Sequence, residues 1–226
     1  MPKIHKQYEK LPKGRPIIAG CGSNTERISW FCDQLAKNAV KDLPSYIEDT
    51  PHLLRTLEDL NDSETLPNSA KPISLDIKSM YTNIPIKEGL DAFKDTLEKR
   101  SDKSVPTDFI LKLLKLIMEQ NIFTFNEEYW LQLLGTCMGT RVAPTYANLF
   151  MGVLEQKILE NCPPNLREHI YLWKRFIDDI LIVWTDSWDT FKDFFNYLNN
   201  FHETMKFDEP CYDQNSNSCN FLDLNI

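Results

Sequence analysis

Asp178 and Asp179 stand side by side in "YLWKRFIDDILIVW", between two apolar arms that read as strands of a core. Two adjacent carboxylates disfavour each other's ionisation unless a cation sits between them. A solvated hairpin turn, where Asp is common, accounts for such a pair without any chemistry. A third carboxylate gives it another meaning. In "PISLDIKSMYTNIP", Ile73, Leu75 and Ile77 alternate as in a strand, and Asp76 falls on the opposite face. If that strand and the "FIDDI" hairpin are neighbours in one sheet, three carboxylates converge at its edge. Oxygen ligands that leave open positions suit Mg²⁺, which takes one or two protein carboxylates plus substrate phosphates. Two such ions about 3.5–4 Å apart can activate an attacking hydroxyl and stabilise a leaving pyrophosphate in line.

The elements that must position these acids follow from periodicity and turn chemistry. "SNTERISWFCDQLAKNAV" opens with a capping box, Ser23 to Glu26, and continues at helical spacing through Ile28, Phe31, Leu35 and Val40. Before it, "KGRPII" turns at Gly14 into a short strand at Ile17–Ile18. "EDLNDSETLPNSAK" is polar and contains Pro, and is expected to be flexible. "KEGLDAFKDTLEKR" and "VPTDFILKLLKLIMEQN" are helices, and "IFTFNEEYWLQLL" is a hairpin turning near Asn126. "APTYANLFMGVLEQKILEN" has Pro in its first turn and a long apolar face, so it is a buried helix. A helix over roughly 189–202 follows the acidic hairpin. "MKFDEP" and "CNFLDLNI" close the chain as short strands. The order predicts an α+β fold, an antiparallel sheet backed by helices.

The 226 residues, 42% hydrophobic and 26% charged, suffice for one large domain or two intimate subdomains. The N-terminus has no apolar leader, and the longest apolar run around the acidic pair is "ILIVW", so no membrane association is expected. Cys21, Cys32, Cys137, Cys162, Cys211 and Cys219 form no CxxC pair, which reads as reduced intracellular thiols and no zinc site. The net charge of −8 alone argues against nucleic acid as a partner. Residues 1–41, however, carry eight Lys or Arg against three acids, +5, which leaves −13 for the remainder. A basic front beside an acidic body is compatible with a phosphate-binding surface next to a carboxylate site.

"SLDIKSMYTNIP", "GTCMGTRVAPTYANLFM", "FIDDI" and "NFLDLNI" occur in the order of reverse-transcriptase palm motifs. Their wording, with "PKIHK" and "GRPII" at the start, resembles Penelope-like retroelement reverse transcriptases over residues 2–226. The resemblance implies a right-hand polymerase fingers–palm fold, with a fingers-like part over 1–70 and a palm over 71–226 that carries a helical insertion at 86–120. It implies an RNA-directed DNA polymerase that uses an RNA template, a DNA primer, dNTPs and two Mg²⁺ ions, with Mn²⁺ able to substitute. Asp76, Asp178 and Asp179 become the catalytic acids, with the backbone carbonyl of Ile77 as a further metal ligand. Tyr81 becomes the aromatic beside the nucleotide sugar that leaves no room for a ribose 2′-OH; otherwise it is a core aromatic. Arg15 matches the arginine that pairs with the triphosphate. Gly135 and Gly139 let backbone approach nucleotide and template, or are plain turn glycines. Lys3, Lys6 and Lys13 are phosphate neighbours or solvated surface lysines.

Two positions depart from the family pattern. Leu134 stands where a Gln usually touches the incoming nucleotide, a loss of about 1–3 kcal/mol of binding. Arg141 stands where a Pro is expected and places a cation beside the nucleic-acid path. The thumb and the nuclease domain of such elements are expected to be absent, which would leave a poorly active core. A decayed fragment that only binds RNA or protein is the competing reading, and a palm-fold cyclase is a third. The retroelement resemblance also implies a nuclear site of action; oligomeric state is not legible.

Overall fold

The computed structural model of the chain describes residues 20–62 and 66–226. The expectations for Lys3, Lys6, Lys13, Arg15 and the Ile17–Ile18 strand lie outside the described residues. Helix α1 (Glu26–Val40) buries Ser29, Cys32, Ala36 and Val40, one stripe at helical spacing. It does not use the expected capping box. Its N-cap, Thr25, has helical backbone angles and no side-chain cap, and the Ser23 hydroxyl instead donates to Gly20 O at 2.7 Å. Glu26 still tames this end, because its carboxylate accepts from Gly22 N at 2.7 Å. Helix α2 (Thr50–Asp62) was not expected; Asp49 Oδ1 accepts from His52 N at 2.8 Å at its start, and Leu53 is its buried anchor. It takes in the first residues of the segment read as flexible.

Strand β1 (Lys71–Asp76) leads through the short α3 (Met80–Asn83) to α4 (Ile86–Lys99) and α5 (Thr107–Glu119). The hairpin of β2 (Ile122–Phe125) and β3 (Glu128–Leu131) turns at Asn126 and Glu127, both left-handed (φ 57° and 65°), the two-residue geometry that matches strand twist. The buried helix α6 (Ala143–Asn161) and the single turn α7 (Pro164–Arg167) follow. Next come β4 (Ile170–Phe176), β5 (Asp179–Trp184) and α8 (Trp188–Phe201), and a small terminal hairpin, β6 (Asn220–Phe221) with β7 (Leu224–Asn225).

The main sheet is antiparallel, in the order β1-β5-β4. Its central strand is buried from Ile180 to Trp184 because both faces are covered. One face, with Ile73, Leu75, Ile180, Ile182 and Trp184, joins α1, α4, α5, α6 and α8 in the principal core. Trp184 stacks on Phe194 there, ring centroids 5.1 Å apart. The other face sets Leu181 against Ile47, Leu53, Cys219 and Phe221. Covering is thus two-sided, where the sequence suggested helices on one face. "MKFDEP" forms bridges rather than a strand: Ile77 pairs with Phe207 and Ser74 with Cys211, and Pro210 between them has no amide to give.

Candidate active site

β1 and β5 are in register so that Asp76 lies directly opposite Asp179, and β4 brings Phe176 opposite Asp179 from the other side. Asp178 occupies the turn between β4 and β5. The turn is tied to β1 by a bond from Ile77 N to Asp178 O at 3.0 Å. The three acids are electrostatically in touch. Burial, then the charges of Asp178 and Asp76, push the Asp179 carboxyl up to about 6. The outer edge of β1 is closed by Asp208, whose amide donates to Asp76 O at 2.8 Å. Among the described residues, no group of three or more His, Cys, Asp or Glu is arranged so that it could hold a metal ion.

Tyr81 sits in α3, just past the end of β1. Burial first, and the charge of Asp178 second, raise its hydroxyl to about 12, so the hydroxyl senses the charge of the acidic turn. The loop that carries Gly135 packs on the same turn of helix. Thr136 N donates to Tyr81 O at 2.6 Å. Gly135 is left-handed (φ 73°), and a Cβ there would lie 2.4 Å from Tyr81 O and 2.5 Å from Thr82 Cα. Only glycine fits that approach. Farther along the loop, Gly139 O accepts from Gly20 N at 3.1 Å, which docks the segment before α1 against it. The hydroxyls of Thr136 and Thr140 are buried in this loop without a hydrogen-bond partner.

The two departures from the family pattern have distinct structural outcomes. Leu134 is 73% exposed, with its side chain in solvent beside that of Leu133. Its carbonyl is held by Gln132 Nε2 at 2.7 Å, so the amide two residues upstream serves the loop backbone. Arg141 pairs with Glu26 at 3.5 Å, both side chains partly exposed, and the cation is drawn towards α1.

Behind the acidic turn lies a polar network that the sequence reading missed. Arg175 on β4 is fully buried. Its Nε donates to Glu155 Oε1 and its Nη1 to Asn148 Oδ1, each at 2.7 Å. Nη1 also donates to Ile177 O at 3.0 Å. Glu155 further accepts from Ser45 Oγ at 2.6 Å and Trp173 Nε1 at 3.0 Å. The signal was present: Asn148 and Glu155 lie seven residues, two turns, apart on a helix read as buried, and Arg175 interrupts the inward side of a strand.

Residues 13–207 match the family described as "Reverse transcriptase (RNA-dependent DNA polymerase)". The chain belongs to the reverse transcriptase family. Solved structures agree on the fold. Apo telomerase from Candida tropicalis, truncated of its C-terminal domain, superposes with a TM-score of 0.62 at 15% identity, over 88% of this chain and 43% of that one. Telomerase from Candida albicans in complex with a fragment of telomeric RNA gives 0.66 at 11% identity, over 89% and 37%. An RNA polymerase complex inside a double-stranded RNA virus gives 0.58 at 12% identity, over 84% and 19%. This reverse transcriptase chain therefore has the polymerase fingers–palm fold and spans less than half the length of those structures. The sequence has no significant match among curated proteins.

Proposed function

We propose that this chain is the core of an RNA-directed DNA polymerase that joins a deoxynucleoside triphosphate to the 3′-hydroxyl of a DNA primer on an RNA template. The observation that carries the reading is the register of Asp76 against Asp179, with the Asp178 turn closed onto Ile77, in a chain of the reverse transcriptase family. Asp76, Asp178 and the Ile77 carbonyl would hold divalent metal, with Asp179 as the neighbouring acid. The donor set is all oxygen and leaves room for substrate phosphates, which suits Mg²⁺, or Mn²⁺ in its place. When bound, two such ions would lower the pKa of the primer hydroxyl and offset charge on the departing pyrophosphate.

The chain's own residues account for the rest. The Tyr81 ring, half-buried in α3 just past β1, would exclude a 2′-hydroxyl. The Gly135–Thr140 loop, packed on Tyr81 through Thr136, would lie along the nucleotide and the template strand. Leu134 offers an apolar contact where an amide is usual, and Arg141 is held aside by Glu26. The sequence blocks from "PKIHK" to "NFLDLNI" favour a Penelope-like retroelement as the source of the chain, whose reverse transcriptase would act in the nucleus. A telomerase neighbour bound to RNA is in keeping with an RNA template.

The test is single-nucleotide extension of a DNA primer on an RNA template with Mg²⁺ and then Mn²⁺, beside Asp178→Asn. Extension that vanishes in the variant supports the reading. No extension by the parent, nor after Leu134→Gln, would move the assignment to a binding fragment that retains the fold.

A further inference from the structure

Ile177 immediately precedes the acidic pair and has φ 56°, in the left-handed region. For a β-branched residue that conformation is a genuine outlier and needs surroundings that hold it. A glycine would adopt it freely, and this chain has isoleucine. The group that meets the strained peptide is the Arg175 guanidinium, through Nη1 to Ile177 O at 3.0 Å. Nη1 is itself fixed by Asn148 Oδ1, whose amide nitrogen is committed to Pro144 O at 2.9 Å. Nη2 reaches Asn148 O at 3.4 Å, and Nε is fixed by Glu155. The guanidinium is thus clamped to two turns of α6 and leans one donor against the turn. The next peptide, Asp178, then presents its carbonyl to Ile77 N at 3.0 Å, and Asp179 faces Asp76.

We propose that Arg175 is a positioning residue for the metal-binding acids: its bond to the Ile177 carbonyl holds the left-handed turn that aims Asp178 and Asp179 at Asp76. A buried ion pair with Glu155 would stabilise the core without this bond. The forked guanidinium reaches both Glu155 and Ile177; a lysine could satisfy the first and not the second. The inference rests on the assignment of metal to Asp76 and Asp178.

The experiment titrates Mn²⁺ alone, followed by its free-ion paramagnetic resonance signal, into the parent, Arg175→Lys, Arg175→Lys with Ile177→Gly, and Glu155→Gln. Folding is checked by thermal melting, and hydrogen exchange of the Ile77 amide is read in parallel. Arg175→Lys is expected to weaken Mn²⁺ binding about tenfold and to speed exchange at Ile77. Adding Ile177→Gly should restore most of both, because glycine needs no clamp to turn left-handed. Glu155→Gln should lower the melting temperature and leave Mn²⁺ affinity within about twofold of the parent. A purely structural arginine would not be rescued by glycine at 177. If Arg175→Lys does not fold, Asn148→Ala, which frees Nη1, should weaken Mn²⁺ binding in the same sense. Parent-like Mn²⁺ affinity in Arg175→Lys, or in Asn148→Ala where Arg175→Lys does not fold, overturns the role of Arg175, and so does absence of rescue by Ile177→Gly. A parent that binds no Mn²⁺ overturns the metal assignment, and the role of Arg175 with it.

Discussion

Asp179 is the residue at which the cost of gathering three acids can be measured. Its carboxyl titrates near 6, where an ordinary aspartate titrates near 3.9, because burial and then the charges of Asp178 and Asp76 oppose ionisation. Between those values the folded chain keeps a proton that the unfolded chain has released. A raised folded pKa is therefore a stability that is complete below about pH 4 and lost as pH rises through about 6. The metal-free protein should melt lower at neutral pH than at pH about 4 on this account. Asp179→Asn should remove the penalty, raising stability at neutral pH by about 1 kcal/mol once solvent screening is allowed for, and changing little near pH 4. Thermal melts across that range decide it; a variant whose pH profile parallels the parent would show that Asp179 does not titrate at a raised pKa. Tyr81 supports a second residue-scale expectation. Its half-buried ring packs on the core next to the end of β1; on the proposed function, Tyr81→Ala should open space at the sugar and raise ribonucleotide use relative to deoxynucleotide use by at least about tenfold. Competition between the two in primer extension measures it, and an unchanged ratio would return Tyr81 to the role of a core aromatic.

At the scale of elements, the loop from Gly135 to Thr140 and the turn α3 act as one piece. Thr136 N bonds Tyr81 O, and Gly135 sits against the backbone of Tyr81 and Thr82. Gly135→Ala meets both a left-handed backbone and an oxygen 2.4 Å from the new methyl, and neither can yield without moving Tyr81. It should cost about 1–3 kcal/mol of stability and weaken use of the nucleotide more than it weakens melting. A KM for dNTP equal to the parent's would separate the loop from the nucleotide site. These element-scale facts also mark what could be read beforehand. The helices α4, α5 and α6 and the β2–β3 turn at Asn126 were legible because each has its own period or turn residues. The pairing of Asp76 with Asp179 was legible only as a condition, since register between strands so far apart depends on the sheet they share. Helix α2 was legible and was passed over: Pro51 stands in its first turn, and Leu53, Leu57 and Leu60 recur at helical spacing. The Arg175–Glu155–Asn148 network was missed for a different reason. Its members are polar residues inside elements correctly taken as buried, and only tertiary placement shows that they satisfy one another. The capping box at Ser23 failed because a loop contact to Gly20 claimed the hydroxyl that the helix would have used.

For the whole molecule, the telling feature is that one core crosses the boundary expected between a fingers-like part and a palm. Cys32, Ala36 and Val40 of α1 belong to the same buried cluster as Ile73 and Leu75 of β1, Ile182 of β5 and Phe194 of α8. Polar ties run the same way: Ser45 bonds Glu155, Ile47 N bonds Arg175 O, and Val142 N bonds the buried Ser29 hydroxyl at 3.0 Å. Detaching α1 together with the segment that follows it to Ile47 would expose the inner face of α6 and take the Ser45 hydroxyl from Glu155. Two separately stable units would need two cores, and the smaller cluster around Leu181 and Leu53 still shares the central strand with the larger. The described residues should therefore unfold in a single cooperative transition. With Trp30, Trp130 and Trp188 replaced by Phe, Trp173 and Trp184 report on the core through fluorescence, while α1 and α2 contribute to far-ultraviolet circular dichroism. Denaturant curves from the two probes should coincide in midpoint and slope. An early loss of helical signal, with the tryptophans still buried, would mean that the N-terminal helices move independently of the acidic site. The geometry around the acidic turn would then be free to change as they open and close, and the contact of Glu26 on α1 with Arg141 would break with them.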